Sequence, residues 1–338
     1  MLLVVIGHIM LTNIFQNEAT PVTAFIEKTI YSFHMPLFMF ISGFLFYHTK
    51  IEKDKDYKTT ITDKSKRLLI PFCFFTIACL LLKYAFNPLM KRPVELSFNY
   101  IINSFLYPAS NPLGELWFIS TLFILFLFLP VYKYALANKI RTGICWIICL
   151  SVFVFFPSNI DFLCISRVGY YAIYFFTGTI FFKYAYYKYL ESKTVFFVST
   201  LLFITLTALS VPKIFLSFSG ILFSICLCLQ LAKYIPTLFG SFRDYTFQIF
   251  LLGIFFQMAV RFSYLKVGIE SLYVFFYFVS ILVALYIPTI MAIQIKKSKV
   301  PLIRLFFGLW QVTHAVTDDK PICNQLDNRL WAIYTQKV

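Results

Sequence analysis

Two imidazoles lie inside long apolar runs: His8 in Val4-Val5-Ile6-Gly7-His8-Ile9-Met10, and His34 in Ser32-Phe33-His34-Met35-Pro36-Leu37-Phe38. An ionisable side chain in such a run is costly, which makes it a functional candidate. Imidazole titrates near neutral pH and can take a proton from an alcohol, as general-base catalysis requires. The structural alternative for either ring is a hydrogen bond to a neighbouring helix. Three further residues flank apolar runs. Arg67 reads as an orientation anchor or as a partner for phosphate, which guanidinium grips bidentately. Glu115 and Trp117 read as a helix-start carboxylate and an interfacial ring, or as parts of a pocket that would stack and hydrogen-bond a sugar. Gly7 and Gly43 read as places where helices approach closely.

The elements that must position these residues are membrane spans. The chain is 60% hydrophobic and 20% aromatic, with 43 Phe, 22 Tyr and only 13% charged residues, and its mean hydropathy is +0.78. Soluble domains are nearer 45–50% apolar, so this excess cannot be hidden in one water-soluble core. A spanning helix needs about 20 mainly apolar residues. Candidate runs lie near residues 1–15, 29–47, 68–86, 115–134, 140–156, 168–184, 194–212, 214–234, 245–262 and 271–295. The expected fold is an all-α polytopic transmembrane helix bundle of about ten spans. Continuous runs such as Leu116 to Val131 exclude the alternating strands of a barrel. The first run lacks a basic flank and an A-x-A-like site, so it reads as a span and not as a cleavable signal.

Charge sets the orientation. The net charge of +15 sits in alternate loops: Lys50 to Arg67, Lys133 to Arg141, Lys183 to Lys193, Lys233 with Arg243, and Lys296 to Arg304. The loops between them are poor in Lys and Arg. Both termini are therefore expected in the cytoplasm, the chain being a multi-pass membrane protein. No soluble basic domain exists to hold nucleic acid. The longest outer loop, 87–114, carries Pro88, Pro93, Pro108 and Pro112 and is expected over the outer mouth. The eight cysteines (73, 79, 145, 149, 164, 226, 228 and 323) form no C-x-x-C pair. They read as small core hydrophobes, with no disulfide framework or metal site. Residues 1–309 form one membrane-embedded domain, and 310–338 turn polar and aperiodic, as a cytoplasmic tail would.

Leu3-Val4-Val5-Ile6-Gly7-His8 followed by Ser32-Phe33-His34-Met35-Pro36-Leu37-Phe38-Met39-Phe40-Ile41-Ser42-Gly43-Phe44-Leu45-Phe46 resembles the acyltransferase-3 family, and most closely its fucose 4-O-acetylase-related branch. Lys66-Arg67-Leu68-Leu69-Ile70-Pro71-Phe72, Leu116-Trp117-Phe118-Ile119 and the segment Gly240 to Leu252 resemble later motifs of the same family, in order. The resemblance implies about ten helices over residues 1–309. It also implies transfer of an acetyl group from acetyl-CoA, a co-substrate and not a bound cofactor, to a hydroxyl of an envelope carbohydrate. The acceptor would be an exopolysaccharide, capsule, lipopolysaccharide or lipid-linked precursor. His8 matches the family's proposed catalytic residue, and His34 opens the His-Met-Pro-Leu-Phe block that is the specific part of the resemblance. Arg67 would meet CoA phosphate, and Glu115 and Trp117 would meet the acceptor. The family usually places Arg or Lys eleven residues before that His, so the coding sequence is expected to extend upstream of Met1. The late segment often ends in His, where this chain has Gly253.

Two chemical routes stay open, direct attack by a hydroxyl that His8 deprotonates and a covalent acetyl-His intermediate. A transporter or flippase of a lipid-linked glycan, and an inactive relative, are the competing readings. Paired interrupted spans, the mark of an inverted-repeat transporter, are not seen. The orientation is checked by Cys-labelling or reporter fusions. Residues 50–65 and 296–305 should report from the inside and 87–114 from the outside, and an external 50–65 segment overturns the assignment.

Overall fold

A computed structural model describes residues 1–11, 21–87, 93–209, 211–235, 237–269 and 272–309. Among these the regular structure is entirely helical. In chain order the helices are α1 (Leu2–Leu11), α2 (Pro21–Phe46), α3 (Tyr57–Lys64), α4 (Ile70–Ala85), α5 (Phe98–Leu106), α6 (Trp117–Leu127), α7 (Leu129–Leu136), α8 (Lys139–Phe155), α9 (Ile165–Lys183), α10 (Lys193–Ala208), α11 (Lys213–Tyr234), α12 (Thr246–Val267), α13 (Tyr273–Lys297) and α14 (Pro301–Phe306). The expected polar tail, Cys323 and the end of the first run lie outside the described residues.

Among the described residues five stretches are long and apolar enough to cross a membrane: Ala24–Ile51, Tyr57–Ala85, Lys213–Tyr234, Arg243–Val267 and Tyr273–Lys297. A sixth arises if Gly114–Leu127 and Leu129–Leu136, bent by 54°, count as one span. All ten expected runs contain helix, yet length and composition alone do not give ten spans. α1, α8 and α10 have 10, 17 and 16 residues, short of the roughly 20 that cross hydrocarbon unaided. α9 has 19 residues, but Arg167, Tyr170, Tyr171 and Tyr174 lower its hydropathy. The outward faces of the short helices are apolar. Ile140, Ile144, Ile147 and Ile148 on α8 and Phe197, Val198, Leu201 and Ile204 on α10 are all exposed. Repeats of this kind along one helix face suit lipid and not water.

α2 is the hub, packing on α9, α11 and α1. Its crossing with α9 is set by two glycines. A Cβ on Gly43 would fall 1.9 Å from the carbonyl oxygen of Phe175, and one on Gly178 would fall 2.0 Å from that of Phe40. Each glycine thus receives the other helix's backbone, the small-residue contact that lets helices touch in lipid. Phe46, Phe175, Phe176 and Tyr132 then pack around the junction, with Phe46 and Phe126 rings 4.7 Å apart.

Pro36 interrupts α2. A proline cannot donate to the carbonyl four residues back, which is that of Ser32. Ser217 of α11 donates its hydroxyl to the Ser32 carbonyl at 2.7 Å. In hydrocarbon such a freed carbonyl must find a partner within the protein, and this one pins α11 to α2 at the level of His34. On the other side, Gln257 of α12 donates to the carbonyl of Val5 at 2.9 Å and ties down α1. Val5 and Ile9 close a small second core with Phe242, Ile249, Ala284 and Leu285.

The proline-rich segment 87–114 is folded where it is described. α5 and two short 3₁₀ turns, Pro108–Ser110 and Gly114–Leu116, precede α6. Buried Asn111 donates to Thr76 Oγ1 of α4 and to the Ser104 carbonyl, both at 2.9 Å. Lys83 donates to the Pro112 carbonyl at 2.6 Å. This anchoring fixes the start of α6, and with it Glu115.

Backbone carbonyls cannot move aside as a flexible side chain can, so overpacking at the α2–α9 crossing should cost at least about 3 kcal/mol, the upper end of the usual range. Gly178→Ala or Gly43→Ala should sharply reduce the folded fraction in a detergent thermal-shift measurement. Gly143→Ala, where an added Cβ meets nothing within 4 Å, should leave it unchanged.

Candidate active site

His8 and Glu115 come from opposite ends of the described chain's first third and meet across α1 and the turn before α6. His8 Nδ1 lies 3.6 Å from Glu115 Oε1, and both side chains are about one-fifth exposed, 21% and 19%. The distance is too long for a hydrogen bond but within ion-pair reach, as catalytic contacts often are before substrate binds. A carboxylate on the Nδ1 side favours a proton there, leaving Nε2 as the basic nitrogen. The imidazole is therefore open enough to meet a substrate and is oriented by a charge.

His34 is placed differently. It is 2% exposed, and its Nδ1 lies 2.8 Å from the carbonyl of Ile30 one turn earlier. A carbonyl only accepts, so the Nδ1 proton is committed to the helix's own backbone. Its ring meets Tyr31 edge-on, centroids 4.7 Å apart, and it lies within electrostatic reach of His8. The pair expected from the sequence is thus brought to one place, with His8 presented and His34 packed behind it.

Tyr31 completes the cluster and was hidden in the sequence among 22 tyrosines. Gly7 makes room for it: a Cβ there would lie 3.3 Å from Tyr31 Cε2. A signal existed in its spacing, since positions 31 and 34 share a helix face. Trp117, two residues beyond Glu115, is already engaged by protein. The Arg167 guanidinium sits 4.3 Å above its ring, and Tyr171 stacks on it at 5.4 Å and 22°. Arg167 thus belongs to this end of the bundle.

Arg67 is not part of the cluster. It lies in a widened, π-type turn, Ser65–Leu69, closed by the Ile70 amide on the Ser65 carbonyl. A second π turn, Tyr47–Ile51, follows α2. From His34 to Tyr47 along α2 is roughly 20 Å at 1.5 Å per residue. Lys50 of the second turn bonds Asp63 at 3.1 Å, tying that turn to α3. Lys64 lies 4.2 Å from the centroid of Phe126, while Arg67 is exposed. This end therefore presents the Arg67 guanidinium towards solvent, and π turns of this kind recur at functional sites.

Among the described residues no three His, Cys, Asp or Glu side chains cluster as a metal centre would need. Residues 1–293 match the family model for the acyltransferase domain, acyltransferase-3. The chain belongs to the acyltransferase-3 family. The match includes His8, His34, Arg67, Glu115 and Trp117, so this acyltransferase carries the whole candidate site within its family domain. It is 30% identical over 154 residues to the nodulation protein NolL of Sinorhizobium fredii, a stretch covering 45% of this chain and 38% of that protein. It is 31% identical over 129 residues to NolL of Mesorhizobium japonicum, covering 38% and 32%. The aligned stretches therefore span only about a third of those relatives. No solved structure gives a significant match.

If the Glu115 carboxylate holds His8, then Glu115→Gln should lower acyltransferase turnover while the protein stays folded. Interactions of this charged type are worth about 1.5–3 kcal/mol, equivalent to roughly 10–100-fold in rate at 1.36 kcal/mol per decade. Single-turnover kinetics on membranes of equal protein content check this, and an unchanged rate removes Glu115 from the site.

Proposed function

We propose that this membrane acyltransferase moves an acetyl group from acetyl-CoA to a hydroxyl of an envelope carbohydrate, with His8 as the general base. The observation that supports it most is the His8–Glu115 pair: a partly open imidazole, oriented by a carboxylate, inside the family domain. His8 Nε2 takes the proton of the acceptor hydroxyl as that oxygen attacks the thioester carbonyl. His34, buried and bonded through Nδ1, supports the wall of the site and does not exchange protons.

The separation between the two ends of the bundle suits an acyl-CoA. Its charged nucleotide end would rest against Arg67 and the neighbouring lysines, and its pantetheine arm would run along the bundle to bring the thioester to His8. In this reading all ten apolar runs cross or enter the bilayer of a bacterial inner membrane, the Arg67 end faces the cytoplasm, and both termini lie on that side. The acceptor, a polysaccharide or its lipid-linked precursor, would approach from the end carrying Glu115, Trp117 and Arg167.

Removing a general base typically lowers the rate by about 10²–10⁴. His8→Ala should therefore leave membrane abundance near wild type while acetyl incorporation into the glycan fraction falls by that order. His8→Gln keeps hydrogen bonding and similar bulk but cannot take up a proton at neutral pH, so it should be as inactive. Near-wild-type acetylation in the Gln variant makes His8 structural and sinks the proposal.

A further inference from the structure

The phenol of Tyr31 is the polar group of the site that the packing leaves unanswered. Its hydroxyl is buried, shielded from solvent, and has no hydrogen-bond partner among the described residues. Buried hydroxyls in folded proteins are almost always paired, so an unpaired one calls for an explanation. Ser217, Gln257 and Asn111 show that this chain does satisfy the polar groups inside its bundle. Of the few buried groups among the described residues that lack a partner, Tyr31 is the one beside the presented imidazole. A Cβ on Gly7, the residue before His8, would lie 3.5 Å from the Tyr31 hydroxyl, and His34 braces the ring edge-on at 4.7 Å.

We propose that the Tyr31 hydroxyl is the oxyanion donor of the acyl transfer, giving its hydrogen bond to the thioester oxygen as negative charge gathers there. The inference rests on the acyl-transfer function proposed above. In the first half of the step, the acceptor oxygen forms a bond to the thioester carbonyl carbon. The carbonyl π pair moves onto oxygen, and His8 Nε2 takes the hydroxyl proton. In the second half the oxygen pair re-forms the C=O bond, the carbon–sulfur bond breaks, and the departing CoA sulfur takes the proton from His8. The oxyanion exists only between these halves. A donor that is dry and without a competing partner is preorganised for it, and such donors act mainly on the transition state. The missing partner in the free protein is then the place the substrate oxygen occupies.

Tyr31→Phe separates this role from a structural one. On full-length protein in membranes, with radiolabelled acetyl-CoA as donor and native envelope glycan as acceptor, kcat should fall about 10²–10³-fold. KM for acetyl-CoA should change little, because the interaction is made in the transition state and not on binding. The thermal midpoint in detergent should be no lower than wild type, because the change removes a buried hydroxyl that makes no bond. Replacement by 3,5-difluorotyrosine keeps the donor and should retain most of the activity. Wild-type kcat in Tyr31→Phe overturns the assignment, as does a loss of kcat accompanied by a lowered midpoint, or a rise in KM at constant kcat. A wild-type protein that incorporates no acetyl group overturns the proposed function, and this role with it. An active wild type beside an active Tyr31→Phe overturns the donor assignment alone.

Discussion

Everything in this bundle hangs on the approach of two backbones where α2 crosses α9. Gly43 and Gly178 each take the space in which a side chain would strike the partner's carbonyl, at 1.9 and 2.0 Å. In lipid, where apolar faces gain nothing by leaving a solvent as apolar as themselves, helix association draws on close packing. A crossing this tight fixes the angle and height of α2. It thereby fixes where His34 and Tyr31 fall. The remaining helices are arranged on that frame, α11 through its serine and α1 through the glutamine of α12.

The second constraint is polar satisfaction in a dry interior. Pro36 frees one carbonyl and Ser217 answers it. Gln257 reaches α1, and Asn111 ties the segment 87–114 to α4. These bonds are few, single and long-range, so each one is a geometric instruction as well as a source of stability. They hold in register two pieces that meet at the candidate site, the first helix with His8 and the turn with Glu115. Those two residues share no secondary structure, and both depend on elements that are themselves anchored from elsewhere.

Much of this was legible in the sequence, for reasons of a particular kind. Long apolar runs give helices directly, and His8 and His34 stand out because an imidazole in such a run is rare. The span count was harder to read, because α8 and α10 are too short and α9 too rich in tyrosine to declare themselves by length and hydropathy. Pairings were not legible at all. Glu115 appears in sequence as a helix-start carboxylate, and only the fold shows that it faces His8. Gln257 and Val5 are separated by 252 positions. Tyr31 carries no mark that distinguishes it from its many fellows, since its distinction is a bond that it does not make. Trp117 looked free to stack on a ligand, but Arg167 and Tyr171 already engage its ring.

The two π turns have a genealogical meaning. A turn closed by an i to i+5 bond holds one residue more than an α-helical turn over nearly the same rise, so it stores an inserted residue without unwinding the helix on either side. Tyr47–Ile51 and Ser65–Leu69 occur as a pair, one leaving α2 and one entering α4. Beyond the Ser65–Leu69 turn, which lies between α3 and α4, the helix face is rotated by about 100°, one residue's share of a 3.6-residue turn. Relatives that lack that bulge would align to this chain with a single-residue gap inside an otherwise unbroken helix. Their basic residues would then point along a different side of the bundle. A family built on one constant crossing could in this way redirect its charged end by gaining or losing one residue at a time, while the histidine end stays where it is.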